Sequence, residues 1–250
     1  MSPANKLLLH YHFFKNAGTS VDSALKRNFG ALWINIEFQG PPVTHAEKIQ
    51  AFILENPSLL AISSHTLLSP VPVIAGLTVL PILFIRHPVD RLKSAYEFER
   101  VQPVETFGAK LAKRVDFVGY LEARWENRHD RSSLNAQAYR LARIMGQPDL
   151  EERRAAFAAL DELPFIGLVE AFDASGERLE RLAQQLYPSF RHHSVQANAR
   201  RDPTSPLKQR LAGIRNDVGD EFYRRIEEHN DIDLDLHEEI CRRYGVNLDV

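Results

Sequence analysis

At 250 residues and 44% hydrophobic side chains, the chain can bury one sizeable core, with at most a helical annex, and is read as a single domain over 1–250. Its 31 basic and 33 acidic side chains leave a formal net charge of −2, so no nucleic-acid partner is expected from bulk charge and any polyanion must meet a local basic patch. One cysteine, Cys241, excludes an internal disulfide framework; it suits a reducing compartment or an ordinary buried helix position.

Met1 to Lys6 leads straight into Leu7-Leu8-Leu9-His10-Tyr11-His12, too short and too polar for a signal-peptide core. The longest apolar stretch, 71–85, is interrupted by Pro72, Gly76 and Pro81 and falls short of the roughly 20 residues of a membrane span. A soluble, cytoplasmic protein without a membrane span is expected. The apolar run 7–14 predicts a first strand, followed by a small-residue turn and a helix over 19–29. A short strand over 31–36 precedes a helix over 44–56 that puts Ala46, Ile49, Phe52 and Ile53 on one face. Residues 59–63 make a third strand, a turn-rich stretch runs through Pro70 and Pro72, and 78–85 reads as a fourth, buried strand. Pro88 fits the first turn of a helix running toward Val101, where its missing N–H costs nothing.

The second half reads as largely helical, over about 116–127, 132–145, 150–160 and 174–187, with 164–169 as an intervening strand. Segment 188–206 is polar and rich in Arg, His and Asn, as in a functional loop or a lid. Helices over about 219–229 and 234–244 close the chain. There is no internal repeat, low-complexity tract or interdomain linker. Strands alternating with helices predict a three-layer α/β/α fold with a mostly parallel sheet and an α-rich C-terminal portion.

Two places carry chemistry. Phe14-Lys15-Asn16-Ala17-Gly18-Thr19-Ser20 joins a strand to a helix start, where unpaired N–H groups and the helix dipole favour an anion such as phosphate or sulfate. Gly18 permits close approach, Thr19 and Ser20 add hydroxyls, and Lys15 supplies a mobile cation. After the fourth strand, Arg86 stands at a carboxyl end, where open α/β sheets bind ligands, and Ser94 lies two turns into the next helix, within reach of the same oxyanion.

The pair resembles the two cofactor signatures of the carbohydrate sulfotransferases that use 3′-phosphoadenosine 5′-phosphosulfate (PAPS), including the heparan sulfate 2-O-sulfotransferase and chondroitin sulfotransferase-like enzymes. His-x-x-Lys-x-Ala-Gly-Thr-Ser is His12 to Ser20 here, and Arg-x-Pro-x-x-Arg-x-x-Ser-x-Tyr is Arg86 to Tyr96. The similarity covers most of the chain and thins after Tyr187. It implies a P-loop-like sulfotransferase fold, with the 5′-phosphosulfate on Lys15, Asn16, Ala17, Gly18, Thr19 and Ser20 and the 3′-phosphate on Arg86 and Ser94. At Asn16 the family more commonly has threonine. Lys15 would meet charge developing on the leaving phosphate, giving PAP as product.

Heparan-type 2-O-sulfotransferases place a catalytic histidine between the two signatures, where this chain has His65 in Ser63-Ser64-His65-Thr66. An imidazole with a pKa of about 6.5 suits a base near neutral pH. A strand-capping His65 is the alternative. His10 and His12 alternate along the first strand as packing groups, and His87 shapes the turn before Pro88. Asn135 and Gln137 resemble a family Asn-x-Gln element near the acceptor, or belong to an ordinary polar helix face. Glu170 matches a family segment but is read as a cap or an ion-pair member. The stretch Arg191 to Arg201 resembles the late loop that closes on the nucleotide, with Asn198, Arg200 and Arg201 toward the cofactor, or is a solvated basic loop. His192 and His193 are adjacent and lack cysteine partners, so no metal is expected.

The expected activity is therefore transfer of a sulfuryl group from PAPS to a hydroxyl of a carbohydrate or glycosylated acceptor, with His65 as base. A nucleotide-dependent kinase is the alternative enzyme, although Gly-x-x-x-x-Gly-Lys-Ser/Thr is absent. A non-catalytic nucleotide-binding protein is the alternative outside enzymes. Neither the acceptor nor an oligomeric state is set by the sequence.

Overall fold

Three leucines in a row, Leu7 to Leu9, begin the strand around which the sheet is built. The computed structural model describes residues 5–127, 130–147, 149–193 and 206–247. In chain order it gives β1 (Lys6–Tyr11), α1 (Gly18–Phe29), β2 (Trp33–Asn35), α2 (His45–Glu55), β3 (Ala61–Ser64), β4 (Thr78–Ile82) and β5 (Phe84–Ile85). Then come α3 (Pro88–Val101), α4 (Phe107–Ala112), α5 (Phe117–Glu126), α6 (Ala136–Met145), α7 (Glu152–Glu162), β6 (Gly167–Leu168) and α8 (Phe172–Gln184). The chain closes with α9 (Leu207–Val218), α10 (Asp220–Glu228) and α11 (Asp231–Tyr244). It divides into two compact units: Met1–Ile85 with Arg140–Arg200, and Arg86–Tyr139 with Arg201–Val250.

The first unit is mixed α/β. Its sheet has the order β2-β3-β1-β4 with every pair parallel, and β5 pairs in parallel with β6. Parallel strands need both faces covered, which is why β1 and β3 read as continuous buried runs without alternation. Leu8, Ala61, Leu80 and Ile82 share a core with Val21 and Leu25 of α1 and with Leu179 of α8. Leu7 and Ile62 point to the opposite face and line a groove with Ile53 of α2. Helices therefore lie on both faces, and the parallel α/β expectation holds.

The second unit is helical. Val89, Leu92 and Tyr96 of α3 pack in one core with Tyr120 of α5, Leu211 of α9 and Phe222 of α10. Two of its helices, α4 and α5, are capped by their own N-cap side chains: Thr106 Oγ1 accepts from Ala109 N at 3.1 Å, and Asp116 Oδ1 from Gly119 N at 2.9 Å. Asp233 of α11 caps α6 from elsewhere in the chain, accepting from Gln137 N at 3.1 Å and Ala138 N at 2.7 Å.

Several expectations are corrected. The first strand stops at Tyr11, so His12 begins the loop. The stretch 78–85 is two strands, because Leu83 breaks it: β4 pairs with β1, whereas β5 pairs with β6. Helices α4 and α9 occupy stretches the periodicity left as connections. The helix expected over 132–145 starts at Ala136, because Asn135 is left-handed at φ 44°.

Candidate functional site

The turn between β1 and α1 is held in an unusual backbone shape. Lys15 (φ 64°) and Ala17 (φ 59°) are both left-handed although neither is glycine, and Asn16 lies between them. Asn16 is 1% exposed; its Nδ2 donates to Phe84 O at 2.7 Å, and its backbone N–H donates to Phe13 O at 3.2 Å. Its side chain thus holds the turn and does not project from it, unlike the cofactor contact expected of this position. Beyond it, Ser20 N and Val21 N bond back to Ala17 O, at 2.9 and 3.2 Å. Among the described residues, the Ala17, Gly18 and Thr19 N–H groups have no hydrogen-bond acceptor. Three donors at the start of a 12-residue helix are thus left without acceptors, the backbone arrangement that the anion cradle read from the sequence calls for. Gly18 is required here by its neighbour as well as by any guest: a Cβ would run into Cδ2, Nε2 and Cε1 of His12.

His12 opens onto a buried network that sequence reasoning assigned to packing. Asp22, on the first turns of α1, accepts from His10 Nδ1 on Oδ1 at 2.8 Å and from His12 Nδ1 on Oδ2 at 3.1 Å. Asn35 Nδ2 adds a third bond to Oδ2 at 3.3 Å, and Ser63 Oγ lies 3.2 Å from His10 Nδ1. Burial alone would raise the Asp22 carboxyl, but the His10 and His12 bonds outweigh it and hold it well below the ordinary carboxylate value. His12 is pushed below an ordinary imidazole, chiefly by burial and further by the nearby His10, against the pull of Asp22. The nitrogen and oxygen atoms of His10, His12 and Asp22 come within 4.8 Å of one another, a spacing a cation can occupy. Yet each Nδ1 is matched to its own carboxylate oxygen, the pattern of hydrogen bonding and not of metal ligation.

His65 stands beside this network. Its ring centroid is 3.6 Å from that of His12, the planes tilted by 30°. Glu37 orients it: Oε1 accepts from His65 Nδ1 at 2.7 Å, and Oε2 from Thr66 N at 2.9 Å. On the other side Arg140 Nη2 donates to His65 O at 2.9 Å while its guanidinium covers the Phe13 ring at 4.7 Å. Partial burial and the neighbouring His12 push the His65 pKa down, with Glu37 pulling the other way. A carboxylate on Nδ1 places the proton there and leaves Nε2 with its lone pair, the tautomer a general base needs. Glu37 was not anticipated, for it sits in a loop with no motif. The strand register could have found it: Asn35 lies opposite Ser63, so two residues further on Glu37 must fall beside His65.

In the second unit, Asp90 is wholly buried and gathers two guanidiniums. Arg86 Nε and Nη2 donate to Oδ2 at 2.9 and 2.7 Å, while Arg210 of α9 donates from Nε to Oδ1 and from Nη2 to Oδ2, each at 3.1 Å. Burial would raise Asp90, but the charges of Arg86 and Arg210 hold it below the usual carboxylate range. Arg86, Asp90 and Ser94 follow at four-residue spacing, and Ser94 is half-buried on α3. Arg210 was missed because α9 itself was missed. Gln137 is 2% exposed and clasps the Arg86 backbone at both ends, Oε1 accepting from Arg86 N and Nε2 donating to Arg86 O, both at 2.9 Å. Asn135 Nδ2 donates to Asp231 Oδ1 and its Oδ1 accepts from Asp233 N, both at 3.0 Å. The side chains of Asn135 and Gln137 are thus committed inside the unit, and their expected contact with an acceptor finds no support in this placement. Asn198, Arg200 and Arg201 lie outside the described residues. Among the described residues no helix is long and apolar enough to cross a membrane.

No family model matches the chain. It is 37% identical over 246 residues to an uncharacterized protein of Archaeoglobus fulgidus, an alignment that covers 95% of this chain and 97% of the archaeal one. By a likeness of that extent, the chain belongs to the same family as that archaeal protein.

Proposed function

We propose that the protein is a sulfotransferase of the P-loop-like sulfotransferase fold, moving a sulfuryl group from PAPS to a hydroxyl of a carbohydrate or glycosylated acceptor. One observation carries this. A histidine oriented by a carboxylate stacks on a second histidine, and that second ring rests on the glycine of an amide-lined anion cradle. Base and anion site thus belong to one constellation, which is what in-line transfer to an alcohol requires.

The residues fit the group on the donor side. Unsatisfied amides at Ala17, Gly18 and Thr19, with the Lys15 ammonium in the same turn, would hold the phosphosulfate. When bound, PAPS supplies a sulfuryl group attached to a phosphate leaving group. His65 Nε2 would take the proton of the acceptor hydroxyl as that oxygen attacks, and the turn 15–20 would receive the phosphate that leaves. Glu37 keeps that nitrogen basic by fixing the proton on Nδ1. Lys15 and the cradle amides take the charge released on the leaving phosphate. Arg86 and Ser94 are assigned to the 3′-phosphate on the resemblance of their motif, with Arg86 held in place by the buried Asp90.

The test is incubation with PAPS carrying labelled sulfate and a panel of glycans, glycolipids and small hydroxylated metabolites. Label should pass to a hydroxylated acceptor, and Lys15→Ala and His65→Ala should each nearly abolish it. Of these two, Lys15→Ala and not His65→Ala should greatly weaken binding of PAP, as should Arg86→Ala. Turnover of ATP with magnesium and none of PAPS would replace this reading by a kinase. Binding of PAP without transfer to any acceptor would make the protein a nucleotide-binding module.

A further inference from the structure

We propose that His12 is itself a ligand of the anion in the cradle, its Nε2 donating to the bound oxyanion after taking up one proton from solvent. The inference rests on the cradle holding an anionic group of the donor, as proposed above, and goes beyond it by giving that binding event a proton and a named carrier.

Three features of the turn lead there. The His12 side chain is 8% exposed, and its Nδ1 is engaged by Asp22 at 3.1 Å, so that nitrogen carries the hydrogen. Its other edge is aimed at the helix start: Nε2 is among the atoms that a Cβ on Gly18 would strike. Among the described residues Nε2 has no hydrogen-bond partner. In the neutral ring this nitrogen presents a lone pair beside Gly18, at the helix start whose first three N–H groups have no acceptor. An oxyanion there faces repulsion from that lone pair until the nitrogen is protonated, after which it gains a charge-assisted donor.

The surrounding groups explain why the proton waits for the anion. Facing the ring are Asp22 from α1, His10 from β1, His65 from the end of β3, and Glu37, which touches His65. Lys15 lies in the same turn, and Arg140 adds a fixed cation at the His65 carbonyl. With His10 and His65 both beside the ring and the ring buried, the neutral form is favoured until an anion binds. A guest of charge −2 shifts that balance. Because His65 lies only 3.6 Å away, the proton taken by His12 keeps His65 unprotonated, and His65 remains able to serve as the base.

The test is calorimetry of PAP binding to the full chain at pH 7 in several buffers of different ionisation enthalpy, with inorganic pyrophosphate as a second probe. Wild type should take up about one proton per PAP bound, and its dissociation constant should rise about tenfold per pH unit between pH 7 and 8.5. His12→Gln, which keeps a neutral N–H donor, should abolish the uptake and the pH slope, while His65→Asn should keep both. Binding of PAP with no uptake, or uptake that persists in His12→Gln, overturns the role of His12 and leaves the nucleotide reading standing. Pyrophosphate bound with His12-dependent uptake, but no PAP binding, sinks the nucleotide reading and keeps the role of His12. Failure of both probes to bind removes both.

Discussion

Replacing Asp22 by asparagine removes one acceptor oxygen and the charge from the centre of the histidine network while leaving its size unchanged. The carboxylate serves His10, His12 and Asn35 at 2.8, 3.1 and 3.3 Å, and asparagine can accept from only one side. One charge-assisted hydrogen bond is lost, about 1.5–3 kcal/mol, and an amide N–H now opposes a buried imidazole N–H, which adds about 1 kcal/mol or more unless that ring moves its proton. We expect Asp22→Asn to destabilise the first unit by about 3 kcal/mol at pH 7. Each unit holds one tryptophan, Trp33 in the first and Trp125 in the second, so urea unfolding followed by fluorescence in a Trp125→Phe background reports the first unit alone. The pH dependence has a definite sign. The folded carboxyl sits below its ordinary value, so its contribution is complete above about pH 5 and shrinks as the pH falls below about 4 toward the folded value. Wild type and variant should therefore converge in acid. A loss under about 0.5 kcal/mol at pH 7, or a gap that widens below pH 4, would refute the network as described.

His12 and His65 both titrate below an ordinary imidazole when folded, so the unfolded chain binds more protons below about pH 6.5 and the first unit should lose stability from pH 7 to pH 5. A flat urea midpoint over that range would count against it. Glu37→Gln should lower the turnover of sulfate transfer about 10- to 100-fold with little change in donor KM, measured with saturating acceptor, because it orients the base and does not touch the donor. Gly18→Ala should weaken PAP at least about tenfold by calorimetry and cost about 1–3 kcal/mol of stability, since the new methyl displaces the His12 ring. Gln137→Leu should destabilise the second unit by about 2–4 kcal/mol, read from Trp125 fluorescence, because it strands the Arg86 amide and carbonyl.

Much of this was legible from residues that act locally. Leu7 to Leu9, the small turn Ala17-Gly18 and the Val21 and Leu25 spacing announce strand, turn and helix without reference to the remaining chain, and the structure has all three. What escaped depends on partners distant in sequence. Nothing in the apolar run 78–85 signals that Leu83 hands the strand from β1 to β6, since both halves are buried and periodicity carries no record of which neighbour buries them. Asp22 looks like any polar helix residue until α1 folds back on β1 and brings His10 and His12 to its two oxygens. Gln137 stands where an acceptor contact was expected, yet its fate was decided by Asp233, 96 residues further on. Arg210 was hidden with its helix, which carries Gly213 at its middle and follows a long polar segment.

For the anion site proposed above, the left-handed pair Lys15 and Ala17 has a kinetic meaning. Such conformations cost about 1–2 kcal/mol each outside glycine, and here the Asn16 amide clamped on the Phe84 carbonyl holds the chain in them. A loop already set in its final form has little left to freeze when the guest arrives, so encounter and not rearrangement should govern the speed of capture. The same rigidity favours guests whose oxygens match the three amides as they stand and penalises those that would need the turn to open.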